Sequence, residues 1–204
     1  MTSEEYYELI RPYEDVSRIV MTKLDILNHS IYNKDIGKPI HHTQNRIKSH
    51  KSIEGKLKRL GMDNTVLDAK DHLMDIAGIR VICHFQEEIY ELVKCLKRQS
   101  DLILIKEKDY IKNPKPSGYR SYHIVFSVPM HCLDAMEYYP VEIQFRTMAM
   151  DFWASMEHRI CYKKEYENRD EMSMIMQQYA KDLEVMEKSC REKIKIAGEN
   201  ISAR

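Results

Sequence analysis

Ala77-Gly-Ile-Arg-Val-Ile-Cys-His-Phe85 is the stretch on which the fold turns. It is β-branched and almost continuously apolar, as a central, doubly covered strand is, and it divides the chain. Before it the pattern is helical. Tyr6, Leu9, Ile10, Tyr13, Val16, Ile19, Val20, Leu24 and Leu27 recur at the spacing of one helix face across residues 3–28. Pro12 either kinks that helix or marks its start. Beyond the polar turn Asn33-Lys-Asp-Ile-Gly-Lys-Pro39, a second helix is predicted over residues 43–60, with Gly61 in a C-cap position, and a short third over 65–72. After the strand come a helix over 86–98, further strands at 102–105, 121–128 and 138–146, and helices at 147–162 and 170–194. This is an α+β arrangement, a small mixed sheet with helices on either side in sequence.

Composition sets limits. The 204 residues carry 32 Lys+Arg and 32 Asp+Glu, a net charge of zero, which on its face argues against a polyanionic partner. The charge is unevenly placed, however. Between His41 and Leu60, Arg46, Lys48, Lys51, Lys56, Lys58 and Arg59 stand against Glu54 alone, whereas residues 165–188 hold seven acids and three bases. Five cysteines, widely spaced and without a C-x-x-C pair, suit neither a disulfide framework nor a zinc knuckle and point to a reducing compartment. The polar, acidic N-terminus is unlike a signal peptide. No apolar run approaches membrane-spanning length, so a cytoplasmic location without membrane association is expected.

Chemistry concentrates in four places. In Val141-Glu142-Ile143-Gln144-Phe145-Arg146, strict alternation sends Val141, Ile143 and Phe145 to one face and Glu142, Gln144 and Arg146 to the other. A carboxylate, an amide and a guanidinium in one row suit the floor of a metal and nucleotide site; an exposed sheet face with a salt bridge has the same pattern. Asp75, just ahead of the Ala77 strand, can hold Mg²⁺ if a second carboxylate converges on it, and Glu142 is the natural candidate. Arg80, inside an apolar strand, needs a partner: a nucleobase, a phosphate or an internal salt bridge would serve.

Lys48, Ser52, Lys56 and Arg59 follow at spacings of four, four and three, one predicted helical face able to accommodate a triphosphate, although a solvated basic face looks the same. No Walker A sequence is present. The loop Lys108-Asp-Tyr-Ile-Lys-Asn-Pro-Lys-Pro-Ser-Gly-Tyr-Arg120 places Lys112, Lys115, Tyr119 and Arg120 around a flexible Ser-Gly. An aromatic among cations suits base stacking with phosphate contact, for a mononucleotide or for single-stranded RNA. Finally, Met172, Met176, Tyr179, Leu183, Met186 and Cys190 alternate four and three residues apart, a stripe that packs on its own domain or seams with another subunit.

Taken together, these segments resemble the synthetase domain of RelA/SpoT-type alarmone synthetases, and in particular the stand-alone small alarmone synthetases. The resemblance is carried, in order, by Arg46-Ile-Lys48-x-x-x-Ser52-Ile, Asp75-Ile-Ala-Gly78-Ile-Arg80, the loop from Lys108 through Arg120 to His123, Glu142-Ile-Gln-Phe-Arg-Thr147, and Asp151-Phe-Trp-Ala-x-x-Glu157-His158. It implies a nucleotidyltransferase-like synthetase sheet and the transfer of pyrophosphate from ATP to the 3′-hydroxyl of GDP or GTP, giving AMP and (p)ppGpp in the bacterial stringent response. It further implies that Arg46 and Arg80 sandwich the adenine while Lys48, Ser52, Lys56 and Arg59 hold the ATP phosphates. Asp75 and Glu142 coordinate Mg²⁺, and Glu142 activates the 3′-hydroxyl. Tyr119 stacks on guanine, and Lys115, Arg120, His123 and Gln144 belong to the acceptor side.

A helical extension over residues 1–40, a synthetase domain over 41–165 and a C-terminal helical extension over 166–204 are expected. The chain lacks the His-Asp dipeptide of the hydrolase region carried by long family members, so a synthetase-only enzyme is expected, assembled as a homotetramer through its flanking helices. Asn45 stands where the RelQ-type branch commonly has glycine, His42 where it has an aromatic, and Asp151 where it has asparagine. The run from Asp151 to His158 is closer to the RelP-type branch, so activation by bound pppGpp is not expected.

Overall fold

A computed structural model describes residues 1–32, 37–161 and 169–202. Most of the polar turn at 33–39 and the expected domain boundary at residue 165 lie outside the described residues. Helix α1, Ser3–Ser30, begins in a capping box: the Thr2 side chain accepts from Glu5 N at 3.2 Å, and Thr2 N donates to the Glu5 carboxylate at 2.6 Å. Pro12 therefore lies inside the helix and does not start it. Leu9, Tyr13, Val16, Val20 and Leu24 are fully buried along one stripe, which packs on the sheet.

The sheet has five strands, one more than expected. Strand β1, Ile40–Ile47, precedes helix α2, His50–Leu60, and helix α3, Val66–His72. Strand β2, Ala77–Cys83, leads into helix α4, Gln86–Lys97. Strands β3, Ile103–Asp109, β4, Tyr122–Cys132, and β5, Ala135–Thr147, follow. Helices α5, Met148–Cys161, and α6, Arg169–Ser202, end the chain. The spatial order is β1-β2-β5-β4-β3, with β2 and β5 parallel and all other neighbours antiparallel.

The segment 43–47, expected as the first turn of the second helix, is thus an edge strand. Its side chains are mostly exposed, so it carries little of the apolar alternation by which a strand is recognised; the β-ladder to β2 holds it instead. Helix α2 starts only at His50 and ends, as expected, with Gly61 in a left-handed C-cap at φ 72°.

Alternation decides the two faces of the sheet. Ala77, Ile79, Val81 and Cys83 of β2, Ile124, Phe126 and Val128 of β4, and Val141, Ile143 and Phe145 of β5 are buried in one hydrophobic core with α1 and α4. The opposite side of the sheet carries the polar side chains.

Helix α6 joins the domain through a second, smaller core of Trp153, Ala154, Met176 and Ala180, in which the Trp153 indole donates to the Met176 carbonyl at 2.7 Å. The methionine-rich stripe is therefore divided between two faces. Met176 is 3% exposed, whereas Tyr179 and Met186 are more than half exposed. The stripe continues its own spacing, but the packed face drifts through Ala180, Leu183 and Glu187.

Candidate active site

The polar face is assembled by strand register. Arg46, Gly78, Glu142 and Val125 lie side by side across β1, β2, β5 and β4. Two residues further along the sheet, Gln44, Arg80, Gln144 and His123 form the next row. Gly78 offers no side chain beside Glu142, which leaves the floor open at that point. A pocket results, lined by Gln44, Arg46, Lys48, Asp75, Gly78, Ile79, Arg80, Glu142 and Gln144.

Asp75 and Glu142 thus face one space, as their places at the two parallel strands predict. The Lys48 backbone N–H donates to the Ile76 carbonyl at 2.8 Å, which fixes Lys48 beside Asp75. Its ammonium meets Asp75 Oδ2 at 2.8 Å, and that of Lys56 lies 2.7 Å from Oδ1. The Lys56 contact is close but off the hydrogen-bond line, so Oδ1 is buried without an aligned donor. Burial raises the Asp75 pKa, but the two lysines outweigh it and hold the carboxyl below its ordinary value of 3.8. Glu142 is similar. Burial pushes it up and Asp75 adds repulsion, yet His123 and Gln144 together keep it below 4.5. Gln144 Nε2 donates to Glu142 Oε2 at 2.9 Å, and His123 Nδ1 lies 3.5 Å from Oε1. Both carboxylates are ionised at neutral pH.

The sign of the Asp75 shift has a measurable consequence. A carboxyl with a depressed folded-state pKa stabilises the fold above its unfolded value and loses that contribution as pH falls through the folded one. Thermal unfolding of Asp75→Asn should depend less steeply on pH than that of the wild type between about pH 5 and pH 3. Identical slopes would show that the two lysine contacts contribute nothing.

Two oxygen-bearing carboxylates on one pocket fit a hard divalent cation completed by substrate phosphates and water, the usual manner of Mg²⁺. Among the described residues no group of three or more His, Cys, Asp or Glu side chains is placed to hold a metal by protein ligands alone. The donor set therefore fits Mg²⁺ arriving with a nucleotide. Helix α2 begins beside Lys48 with no acidic residue in its first turn and no side-chain cap on its amides, a phosphate-ready end. Lys56 faces the pocket through Asp75. Ser52 sits at the helix start, with its hydroxyl 2.8 Å from that of Ser49. Arg59 is exposed at the far end, where its Nε donates to Gly55 O at 3.2 Å.

On the other side of Glu142, the loop before β4 brings Tyr119 onto the same face. Its hydroxyl lies 2.9 Å from His123 Nε2 and accepts from Arg146 Nη2 at 3.0 Å. Lys115 Nζ stands 5.0 Å from the Tyr119 ring centroid and 4.9 Å from that of Tyr110. The loop is held from behind by Gly118, at φ +94°, where an added Cβ would meet Ala180 Cβ at 3.0 Å and Trp153 Cζ2 at 3.4 Å.

Arg120 is a correction. It was expected on the acceptor side, but it is 6% exposed and bonded to Glu184 of α6 at 2.9 Å. Successive side chains of an extended segment take opposite sides, so Tyr119 reaches the site and Arg120 anchors the helix behind it. Two residues were not foreseen as part of the site. Gln44 lines the pocket from the strand taken for helix, and Asp151 of α5 pairs with both Arg146, at 2.9 Å, and Arg80, at 3.6 Å. The Thr43-Gln44-Asn45-Arg46 run is polar throughout and carries no apolar alternation that would mark β1.

The chain is similar to known proteins. The family model described as a region found in RelA/SpoT proteins matches residues 45–167. GTP pyrophosphokinase YwaC of Bacillus subtilis is 49% identical over 143 residues, 70% of this chain and 68% of that protein. GTP pyrophosphokinase YjbM of the same organism is 32% identical over 163 residues, 80% of this chain and 76% of that protein. The crystal structure of small alarmone synthetase 1 from Bacillus subtilis, bound to its product pppGpp, superposes with a TM-score of 0.83 at 29% identity, covering 98% of this chain and all of that one.

Proposed function

This chain belongs to the RelA/SpoT family, and from that premise we propose that it is a GTP pyrophosphokinase, transferring the β,γ-pyrophosphate of ATP to the 3′-hydroxyl of GDP or GTP. The observation that carries this reading is the convergence of Asp75 and Glu142 on one pocket whose rim is cationic. The physical problem in such a reaction is repulsion between two polyphosphates. At an effective dielectric of about 20, two unit charges ~6 Å apart repel by roughly 3 kcal/mol, and several such pairs meet. Lys48, Lys56 and Ser52 would hold the ATP phosphates, and Arg46 and Arg80 would flank its base. Arg59 would meet the outermost phosphate. Tyr119 and Lys115 would receive the guanine nucleotide, with His123 and Gln144 orienting the acceptor.

Asp75 and Glu142 would hold Mg²⁺, which supplies charge neutralisation between the two nucleotides. Glu142, ionised at neutral pH, accepts the proton of the 3′-hydroxyl. The hydroxyl oxygen bonds to the β-phosphorus of ATP, the bond from that phosphorus to the α,β-bridging oxygen breaks, and AMP leaves with that oxygen. An RNA-binding groove without chemistry would gain nothing from two carboxylates set among its cations.

The RelP-type branch, a cytoplasmic place and assembly as a homotetramer belong to the same reading. The first is supported by the run from Asp151 to His158. Among the described residues no helix is long and apolar enough to cross a membrane. Tyr7 and Ile26 of α1 and Met174, Tyr179, Val185 and Met186 of α6 leave apolar surface exposed on the flanking helices, as assembly through them requires.

Purified protein incubated with ATP, Mg²⁺ and labelled GDP should yield AMP and labelled ppGpp in equal amounts, and a chelator should stop both. Absence of both products across nucleotide and metal concentrations rejects the reading.

A further inference from the structure

Resting on that assignment of the two nucleotide subsites, we infer that Asp151 is a positioning residue that couples them, holding Arg80 on the adenine side and, through Arg146, Tyr119 on the guanine side. A single oxygen does both. Asp151 Oδ1 lies 2.9 Å from Arg146 Nη1 and 3.6 Å from Arg80 Nη1. The other amino group of Arg146 donates to the Tyr119 hydroxyl at 3.0 Å, and the guanidinium carbon stands 5.2 Å from the Tyr119 ring centroid. The Tyr119 hydroxyl meets His123, and His123 faces Glu142. One chain of polar contacts therefore runs from the adenine-side arginine to the catalytic carboxylate by way of the guanine-side tyrosine.

The arginines depend on the shared carboxylate. The Arg146 side chain is 8% exposed, and the Nε of both arginines is buried without a hydrogen-bond partner. Burial and the neighbouring Arg146 both disfavour the charged form of Arg80 and hold its pKa below the ordinary value, and Asp151 opposes them in part. An asparagine in this place would keep an acceptor oxygen but bring no charge to two guanidiniums that repel each other. A base settling against Arg80 orders Asp151 and Arg146, and so part of what a guanine requires of Tyr119. The second nucleotide then meets a site already arranged.

The test uses the full chain with Mg²⁺ and AMPCPP, the α,β-methylene analogue of ATP, whose α–β linkage cannot be transferred across. In the wild type, GDP should tighten AMPCPP binding by roughly fivefold or more, and AMPCPP should tighten GDP binding by the same factor, as linkage demands. In Asp151→Asn this mutual effect should fall to within about twofold of none. Tyr119→Phe, which removes only the hydroxyl that Arg146 bonds and leaves the folding core untouched, should lose it equally. A merely structural ion pair would lower thermal stability or weaken each nucleotide separately without changing their ratio. Wild-type coupling in either variant, or no coupling in the wild type, overturns the inference while leaving the proposed reaction standing. A wild type that couples the nucleotides yet forms no AMP or ppGpp overturns the reaction alone.

Discussion

Glu142→Gln should lower kcat by about 10²–10⁴ while leaving the fold in place. The amide is nearly isosteric and can still accept from Gln144, whose Nε2 lies 2.9 Å from Glu142 Oε2, so the pocket keeps its shape. What is lost is the charge, and with it the proposed proton acceptor and one of the two carboxylates that would hold Mg²⁺; the upper end of the range is expected because both roles would fail together. Stability should move little. The folded protein favours ionised Glu142, since His123 and Gln144 outweigh burial and the repulsion of Asp75, so neutralising it removes a small net contribution and the melting temperature falls slightly. Binding of AMPCPP and GDP measured separately should survive in large part. Single-turnover rates within tenfold of wild type would move the base elsewhere in the pocket.

The parts of this site that were legible in the sequence are those on buried strands. Alternation over 141–146 placed Glu142 and Gln144 on the polar side, because Val141, Ile143 and Phe145 have only one core to enter. Arg80 stood out for another reason, as a charge inside an apolar strand that needs a partner, and in the structure it alternates with the buried Ile79 and Val81. Where burial does not choose a face, the pattern is silent. Edge strand β1 is exposed along most of its length, so Gln44 could not be seen, and Lys48 was assigned to a helix that begins two residues later. Lys48 nevertheless reaches Asp75, because the backbone bond to Ile76 draws the chain there. Arg120 was misplaced for a different reason: its partner, Glu184, is 64 residues away on a helix whose docking face no local spacing reveals. Asp151 was visible only as a departure from a related branch, and its meaning emerges once Arg80 and Arg146 are seen to share it.

The charge of the chain is balanced in sum but not in space. Arg46, Lys48 and Arg80 line one pocket with Asp75 and Glu142, Lys56 pairs with Asp75, and Lys115 stands over the Tyr119 ring beside them. The acids of α6 that cancel them in the sum are spent elsewhere: Glu184 on Arg120 and Lys188, and Glu187 on Thr147. Zero net charge therefore coexists with a local field suited to polyphosphates.

Tyr119→Ala should raise the KM for GDP by about 5–150-fold, the range for losing one base–aromatic stack worth ~1–3 kcal/mol, with a smaller effect on ATP measured at saturating GDP. The ring is half-buried and carries two cations, the exposed Lys115 at 5.0 Å and the buried Arg146 at 5.2 Å from its centroid. On the proposed reading an arriving guanine would displace Lys115, the one with water to return to, and leave Arg146 in place. The hydroxyl is the lesser part of the residue for affinity, since a neutral hydrogen bond contributes about 0.5–1.5 kcal/mol net. Tyr119→Phe should accordingly keep most of the GDP affinity and lose the communication with ATP, whereas Tyr119→Ala loses both. Initial-rate measurements over a grid of ATP and GDP concentrations separate the two effects. Equal rises in both KM values for the alanine variant would mean that the loop serves the pocket as a whole and holds no guanine of its own.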